Sequence, residues 1–143
     1  MKPIEKIVID ANALLSILIG GAAARRILLH PNAPTLYATP DVQREVEKYI
    51  PVLASRKKLD ESLLWSVWNA IPLINIIVVP HSAAWNQAVA VMERRDPDDV
   101  PTLAAAVEHG WPVWSQDRDF EEARSICQVY TTAELLHILD SSE

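Results

Sequence analysis

Along the whole chain, short apolar runs alternate with segments of helical period. Strands separated by helices do not pair through tight turns; they line up in parallel, with helices covering both faces of the sheet. Lys6-Ile7-Val8-Ile9 is continuously apolar after its lysine, which marks a strand buried on both sides. Thr35 to Ala38, the β-branched run Ile74 to Val79, Pro112 to Trp114 and Gln128 to Tyr130 bring the sheet to about five strands. Between them, Ala13-Leu14-Leu15 opens a helical pattern that Gly20-Gly21 breaks and Ala22 to Leu29 resumes. Thr39-Pro40 pairs an N-cap hydroxyl with proline at the first helical position, and the helix runs toward Ile50-Pro51. Asp60-Glu61 opens a helix carrying Leu64, Trp65 and Trp68, and Ser82 caps one through Met92. Thr102 to His109 is an alanine-rich helix ended by Gly110. A short helix over Phe120 to Arg124 and a final one from Thr132 complete the pattern. The expected fold is a three-layer α/β/α sandwich around a central, mostly parallel sheet, with residues 1–143 as one domain.

A chain of 143 residues has the size of one ordinary domain and buries enough surface to need neither disulfide nor structural metal. Half of it is hydrophobic and its net charge is only −6, which excludes intrinsic disorder. Cys127 is the only cysteine, so neither an internal disulfide nor a cysteine-rich zinc site is available, and a reducing compartment is expected. The longest apolar stretch, Ala11 to Ala24, is interrupted by Asn12 and Gly20-Gly21 and falls short of the roughly 20 residues of a membrane span. Nor does the start MKPIEKIVID carry a secretory signal, since Asp10 interrupts its apolar run. The expectation is a soluble, cytoplasmic protein with no membrane partner. An acidic balance argues against a duplex-binding protein unless the acids are gathered around a metal.

Where the acids fall therefore decides the chemistry. In open α/β sheets ligands bind beyond the carboxyl ends of the strands, and Asp10 and Asp117 each follow a predicted strand. Capping of the next helix is the simpler role for either one alone. Glu45 lies three residues after Val42 and four before Tyr49, which places it on the apolar stripe of its helix with no basic partner on that stripe. Asp99 directly precedes the alanine-rich helix, and Asp96, Asp98 and Asp99 crowd three acids into four residues, a repulsion that a divalent cation would relieve. Asp119 adds another acid beside Asp117. A site built from carboxylates without histidine or cysteine suits Mg2+ or Mn2+ better than Zn2+. The four histidines have no metal-ligand spacing.

These residues carry a resemblance. Val8-Ile9-Asp10-Ala11-Asn12-Ala13-Leu14-Leu15 resembles the strand-to-helix motif of the PIN-domain family of metal-dependent ribonucleases, which includes VapC-type toxins of toxin–antitoxin pairs. Glu45 is similar to that family's helical glutamate. Arg95-Asp96-Pro97-Asp98-Asp99-Val100-Pro101-Thr102-Leu103-Ala104 is similar to its third motif, and Trp114-Ser115-Gln116-Asp117-Arg118-Asp119-Phe120 to its fourth, with Ser115-Gln116 in place of the commoner Thr-Gly or Thr-x. The ordered set extends over nearly the whole chain. It implies a Mg2+- or Mn2+-dependent endoribonuclease with Asp10, Glu45, Asp99 and Asp117 as catalytic and metal-binding residues. Asp96 is then an outer metal partner, and Asn12, Ser115 and Asp119 support the ligands. It further implies an RNA substrate and a cognate antitoxin. Arg25-Arg26, Arg56-Lys57-Lys58 and Arg94-Arg95 are candidates for phosphate contacts. The five tryptophans read as core or interface, and the face carrying Trp65 and Trp68 is the candidate homodimer surface.

Two other enzymes that place an aspartate after the first strand fit less well. A haloacid-dehalogenase-type phosphatase needs a second aspartate where Asn12 stands, and a receiver domain needs an acidic pair and a late lysine. The stronger alternative is a PIN-like module that binds nucleic acid or protein without catalysis. Against it stands the full acidic set, costly to gather unless a cation offsets it.

Overall fold

The computed structural model describes residues 3–141. Its centre is a five-stranded sheet in the order β3-β2-β1-β4-β5. The strands are β1 (Lys6–Ile9), β2 (Thr35–Ala38), β3 (Leu73–Asn75), β4 (Val113–Trp114) and β5 (Val129–Tyr130), and every neighbouring pair is parallel. The chain builds outward from β1 to β3, then returns to lay β4 on the other side of β1. The boundary between β1 and β4 is therefore the switch point of the sheet, where an open α/β fold leaves a crevice. Asp10 follows β1 and Ser115 follows β4, so both acid-bearing segments open into that crevice.

The two-residue period of β1 divides the core. Ile7 and Ile9 join a buried cluster with α1 (Ala11–Leu18), α2 (Ala22–Leu28), α3 (Pro40–Lys57), α4 (Glu61–Ala70) and α7 (Thr132–Ser141). Val8 faces the other way, into a cluster with α5 (Ala83–Met92) and α6 (Val100–His109). This is the expected three-layer arrangement, and it explains why β1 has no polar alternation. Among the described residues no single helix is long and apolar enough to cross a membrane. The pair α1 and α2 has the apolar length but bends by 102°, and its apolar face lies in the core.

Three expectations change. α3 does not stop at Pro51 but continues to Lys57, because Ile50, Leu53 and Ala54 beyond and before the proline bury on one face. That burial offsets the roughly 3 kcal/mol a mid-helix proline costs. The β-branched run Ile74 to Val79 is a strand only as far as Asn75. Its partner β2 ends at Ala38, since Thr39 turns away to cap α3 with its hydroxyl on the Val42 N–H. After the Ile76 N–H bonds the Ala38 carbonyl, no strand remains to pair with, and Ile77 and Val79 are exposed. The Trp65–Trp68 face is not an open interface. Trp68 is buried, with its indole N–H donating to Glu47, and half-buried Trp65 donates to Glu61.

The bend between α1 and α2 depends on Gly21. Its N–H donates to the Ser16 carbonyl at 2.9 Å, and a Cβ there would stand 2.6 Å from Ser16 Oγ and 2.9 Å from that carbonyl oxygen. Gly21→Ala must push the turn open, so it should destabilise the protein by about 1–3 kcal/mol. A thermal melt checks this, and an unchanged melting temperature would show that the turn has slack.

Candidate metal centre

The end of β1 is locked to the end of β4. The Asp10 N–H extends the ladder to the Trp114 carbonyl at 3.0 Å, and the Asp10 side chain then starts α1. Its Oδ1 accepts the Ala11 N–H at 2.8 Å, while Oδ2 accepts the Ser115 hydroxyl at 3.0 Å. The same hydroxyl oxygen accepts the Asp117 N–H at 3.0 Å, which folds the segment after β4 back toward Asp10. Asp117 Oδ1 in turn accepts the Asp119 N–H at 2.9 Å. Asn12 fixes the loop from the other side by accepting the Gln116 N–H at 3.1 Å. Both Asp10 and Asp117 thus serve as caps, the simpler role, and converge as well.

Asp99 is different. It ends the 3-10 turn Pro97–Asp99 and precedes α6, yet its side chain makes no cap hydrogen bond. Asp96 caps that turn instead, accepting the Asp98 N–H at 3.0 Å. Asp99 is only 8% exposed, and its Oδ2 is buried without a hydrogen-bond partner. One carboxylate oxygen from each of Asp10, Asp99 and Asp117 lies within 4.8 Å of the others, and a second trio, Asp96, Asp99 and Asp119, meets the same limit. Asp99 belongs to both. Among the described residues no ion pair reaches Asp10, Asp99 or Asp117.

The electrostatic consequence is large. Burial pushes the Asp10 carboxyl up to about 6, against the pull of the Ala11 N–H and the Ser115 hydroxyl and with the charges of Glu45 and Asp117 adding to the rise. Asp99 is pushed up to about 8 by burial and then by Asp10, Asp96, Asp117 and Asp119, with nothing in the protein pulling it back. Converging carboxylate oxygens, one of them buried and unbonded, fit a hard divalent cation, and the absence of thiolate or imidazole among them disfavours zinc.

Glu45 does not sit where its spacing predicts. The buried face of α3 is Val42, Val46, Ile50, Leu53 and Ala54, whereas Glu45 is exposed and Tyr49 lies at the margin. Its carboxylate belongs to neither trio but flanks them. Partial burial raises its pKa, followed by the charges of Asp98, Asp96 and Asp117. The stripe misled because its inner and outer edges are one residue apart on a helix. Several expected phosphate contacts are engaged elsewhere. Arg25 donates to the Ile17 and Leu18 carbonyls at the end of α1, Arg26 pairs with Asp140, Arg56 donates to the Tyr49 hydroxyl and Arg95 pairs with Glu122. Two residues inside the motifs take parts that the motifs do not assign them. Gln116 Oε1 accepts the Thr132 N–H at 3.0 Å, tying the acid loop to α7. Thr102, one turn after Asp99, buries a hydroxyl that has no partner among the described residues.

The sequence itself matches the family described as PIN domain over residues 8–134. The chain belongs to the PIN-domain family. A search of curated proteins finds no match. Among solved structures, this PIN domain is similar to PAE2754 from Pyrobaculum aerophilum, at TM-score 0.66 and 18% identity, covering 98% of each chain. It is also similar to a chain of VapBC2 from Rickettsia felis, a structure bound to a DNA fragment from their promoter. There the TM-score is 0.60 and the identity 10%, with 88% of this chain and 98% of that chain covered. At such identities the likeness is one of fold.

The raised carboxyls make the metal-free PIN domain sensitive to alkali. An unfolded chain ionises these aspartates near their ordinary 3.8, while the folded one retains the protons to about 6 and about 8. The folded state thus binds more protons across that interval, and stability must fall as pH rises from about 4 to about 8. With EDTA present, the melting temperature should decline over this window. Asp99→Asn should flatten the decline and melt higher than wild type at pH 8. A wild-type profile that is level or rising, matched by the variant, would contradict the electrostatic account.

Proposed function

We propose that this PIN domain is a Mg2+- or Mn2+-dependent endoribonuclease that hydrolyses phosphodiester bonds in RNA. We further propose that it is the toxin of a toxin–antitoxin pair, held in check by a cognate antitoxin protein and able to pair with a second copy of itself. The observation that carries the catalytic reading is the meeting of Asp10, Asp99 and Asp117 from three separate elements, with Asp99 Oδ2 buried and unbonded. Family membership and motifs similar to those of VapC-type toxins support the biological role, as does the likeness in fold to a VapBC2 chain.

A bound divalent cation would supply charge neutralisation at the scissile phosphate and acidify a water to act as nucleophile. Asp10, Asp99 and Asp117 would hold the cation, and Asp96 and Asp119, which gather with Asp99 in the second trio, would offer oxygens for another. Ser115 keeps Asp10 and the Asp117 loop in register, and Asn12 holds that loop against α1. Glu45, exposed at the rim, is free to orient the attacking water and take its proton. With the protein acidic overall, a bound cation would reverse the sign of the site and favour the approach of RNA.

Cleavage of a labelled single-stranded RNA with Mn2+ tests the proposal. Wild type should cut, EDTA should stop it, and Asp10→Asn and Asp117→Asn should each lower the rate by at least about a hundredfold. Cutting that persists in EDTA or in both variants would place the activity elsewhere.

A further inference from the structure

A groove of about 500 Å3 opens between α3 on one side and α5 with the start of α6 on the other; its walls include Arg44, Glu45, Lys48, Trp85, Pro97 and Pro101. This volume is in the range of sites that take one small organic unit. Asp98, between the cluster acids Asp96 and Asp99 in the chain, lines it too, so one end of the groove lies beside the acid cluster.

Two of its residues are unengaged. The indole N–H groups of Trp65, Trp68 and Trp114 donate to Glu61, Glu47 and Thr132, and Trp111 is flanked by the rings of Tyr37 and His109. Trp85 has the body of its ring against the core. Its backbone N–H is held by the Ser82 hydroxyl, but among the described residues neither its indole N–H nor its ring has a hydrogen-bond or ring partner. Lys48 likewise forms no ion pair there, whereas Arg44 is neutralised by Asp41, another wall residue. Lys48 lies three residues beyond Glu45 on α3, about 4.5 Å of rise. That places a cation within one helical turn of Glu45, at the rim of the acid cluster.

We propose that this groove holds the nucleotide adjoining the scissile phosphate of a single-stranded RNA, with its base against Trp85 and its phosphate on Lys48; the inference rests on the nuclease reading above. A single strand is required because pairing and stacking in a duplex hide the base faces. The residues divide the work accordingly. Glu45 and Asp98 belong to the cation-binding end, and Lys48 gives the strand a positive foothold one turn away. Trp85 supplies a contact indifferent to sequence, because every base has a stacking face.

The test compares wild type with Trp85→Ala, Trp85→Phe and Lys48→Ala, using a labelled oligouridine. Binding is measured by fluorescence anisotropy in Mn2+ on a phosphorothioate-linked oligouridine that resists cleavage, and KM and kcat are measured in Mn2+ on the ordinary strand. An interaction held equally in ground and transition states appears in KM alone. Trp85→Ala should weaken binding and raise KM by about tenfold, with kcat nearly unchanged, and Trp85→Phe should recover most of the loss. Lys48→Ala should also raise KM and make it less dependent on salt by roughly one phosphate contact. Lys48 is exposed, so that variant tests the groove even if Trp85→Ala melts too early to use. Wild-type binding and KM in both Trp85→Ala and Lys48→Ala, alongside normal cleavage, would overturn the groove and leave the nuclease intact; the groove would then serve another occupant, such as a peptide. A wild-type protein that neither binds nor cuts RNA would overturn both.

Discussion

Where β1 and β4 pair, the Ser115 hydroxyl donates to Asp10 at 3.0 Å and accepts the Asp117 N–H at the same distance. That single oxygen joins two segments more than a hundred residues apart and brings two like charges toward each other in a place water barely reaches. The sheet makes the contact possible by reversing its strand order between these strands. Asp99 then arrives from the far layer of the sandwich, carried by the alanine-rich α6, whose small side chains at Ala104, Ala105 and Ala106 are fully buried. The core is therefore arranged to force carboxylates together, and among the described residues no ion pair offsets Asp10, Asp99 or Asp117.

The same strain accounts for the division of labour around the site. Asp10 and Asp117 are partly satisfied by backbone N–H groups, so their positions are fixed with or without a ligand. Asp99 has no such support, and its carboxyl rises furthest. Without a cation, the gathered carboxylates repel anions. The flanking groove adds a complementary polarity, acidic where it joins the cluster and basic one turn further along α3.

Much of this was legible in the residues. The alternation of β-branched runs and helical segments predicts the parallel sheet, and the acid at the end of β1 points to the crevice. The four motifs name Asp10, Asp99 and Asp117 in their correct elements. What the residues could not convey was anything set by long-range partners. Ile77 and Val79 have every local property of a strand, but β2 has already turned into α3 beside them. Glu45 falls on an apolar stripe by spacing and on the solvent side by packing. Arg25 reads as a surface cation, yet it binds the carbonyls at the end of α1. The tryptophans divide in the same way, because only the fold reveals that Trp85 lacks a partner where the others have one.

If the converging carboxylates form a cation site whose geometry opposes their ionisation, metal binding and proton release must go together. Calorimetric titration with Mn2+ at pH 7, repeated in two buffers of different ionisation enthalpy, measures both halves at once. With the Asp99 carboxyl at about 8, it is mostly protonated at that pH, so binding should release about one proton. The account predicts saturable Mn2+ binding with that release in the wild-type protein, and binding lost in Asp10→Asn. An absence of Mn2+ binding to the wild type, or binding that Asp10→Asn leaves unchanged, would contradict it.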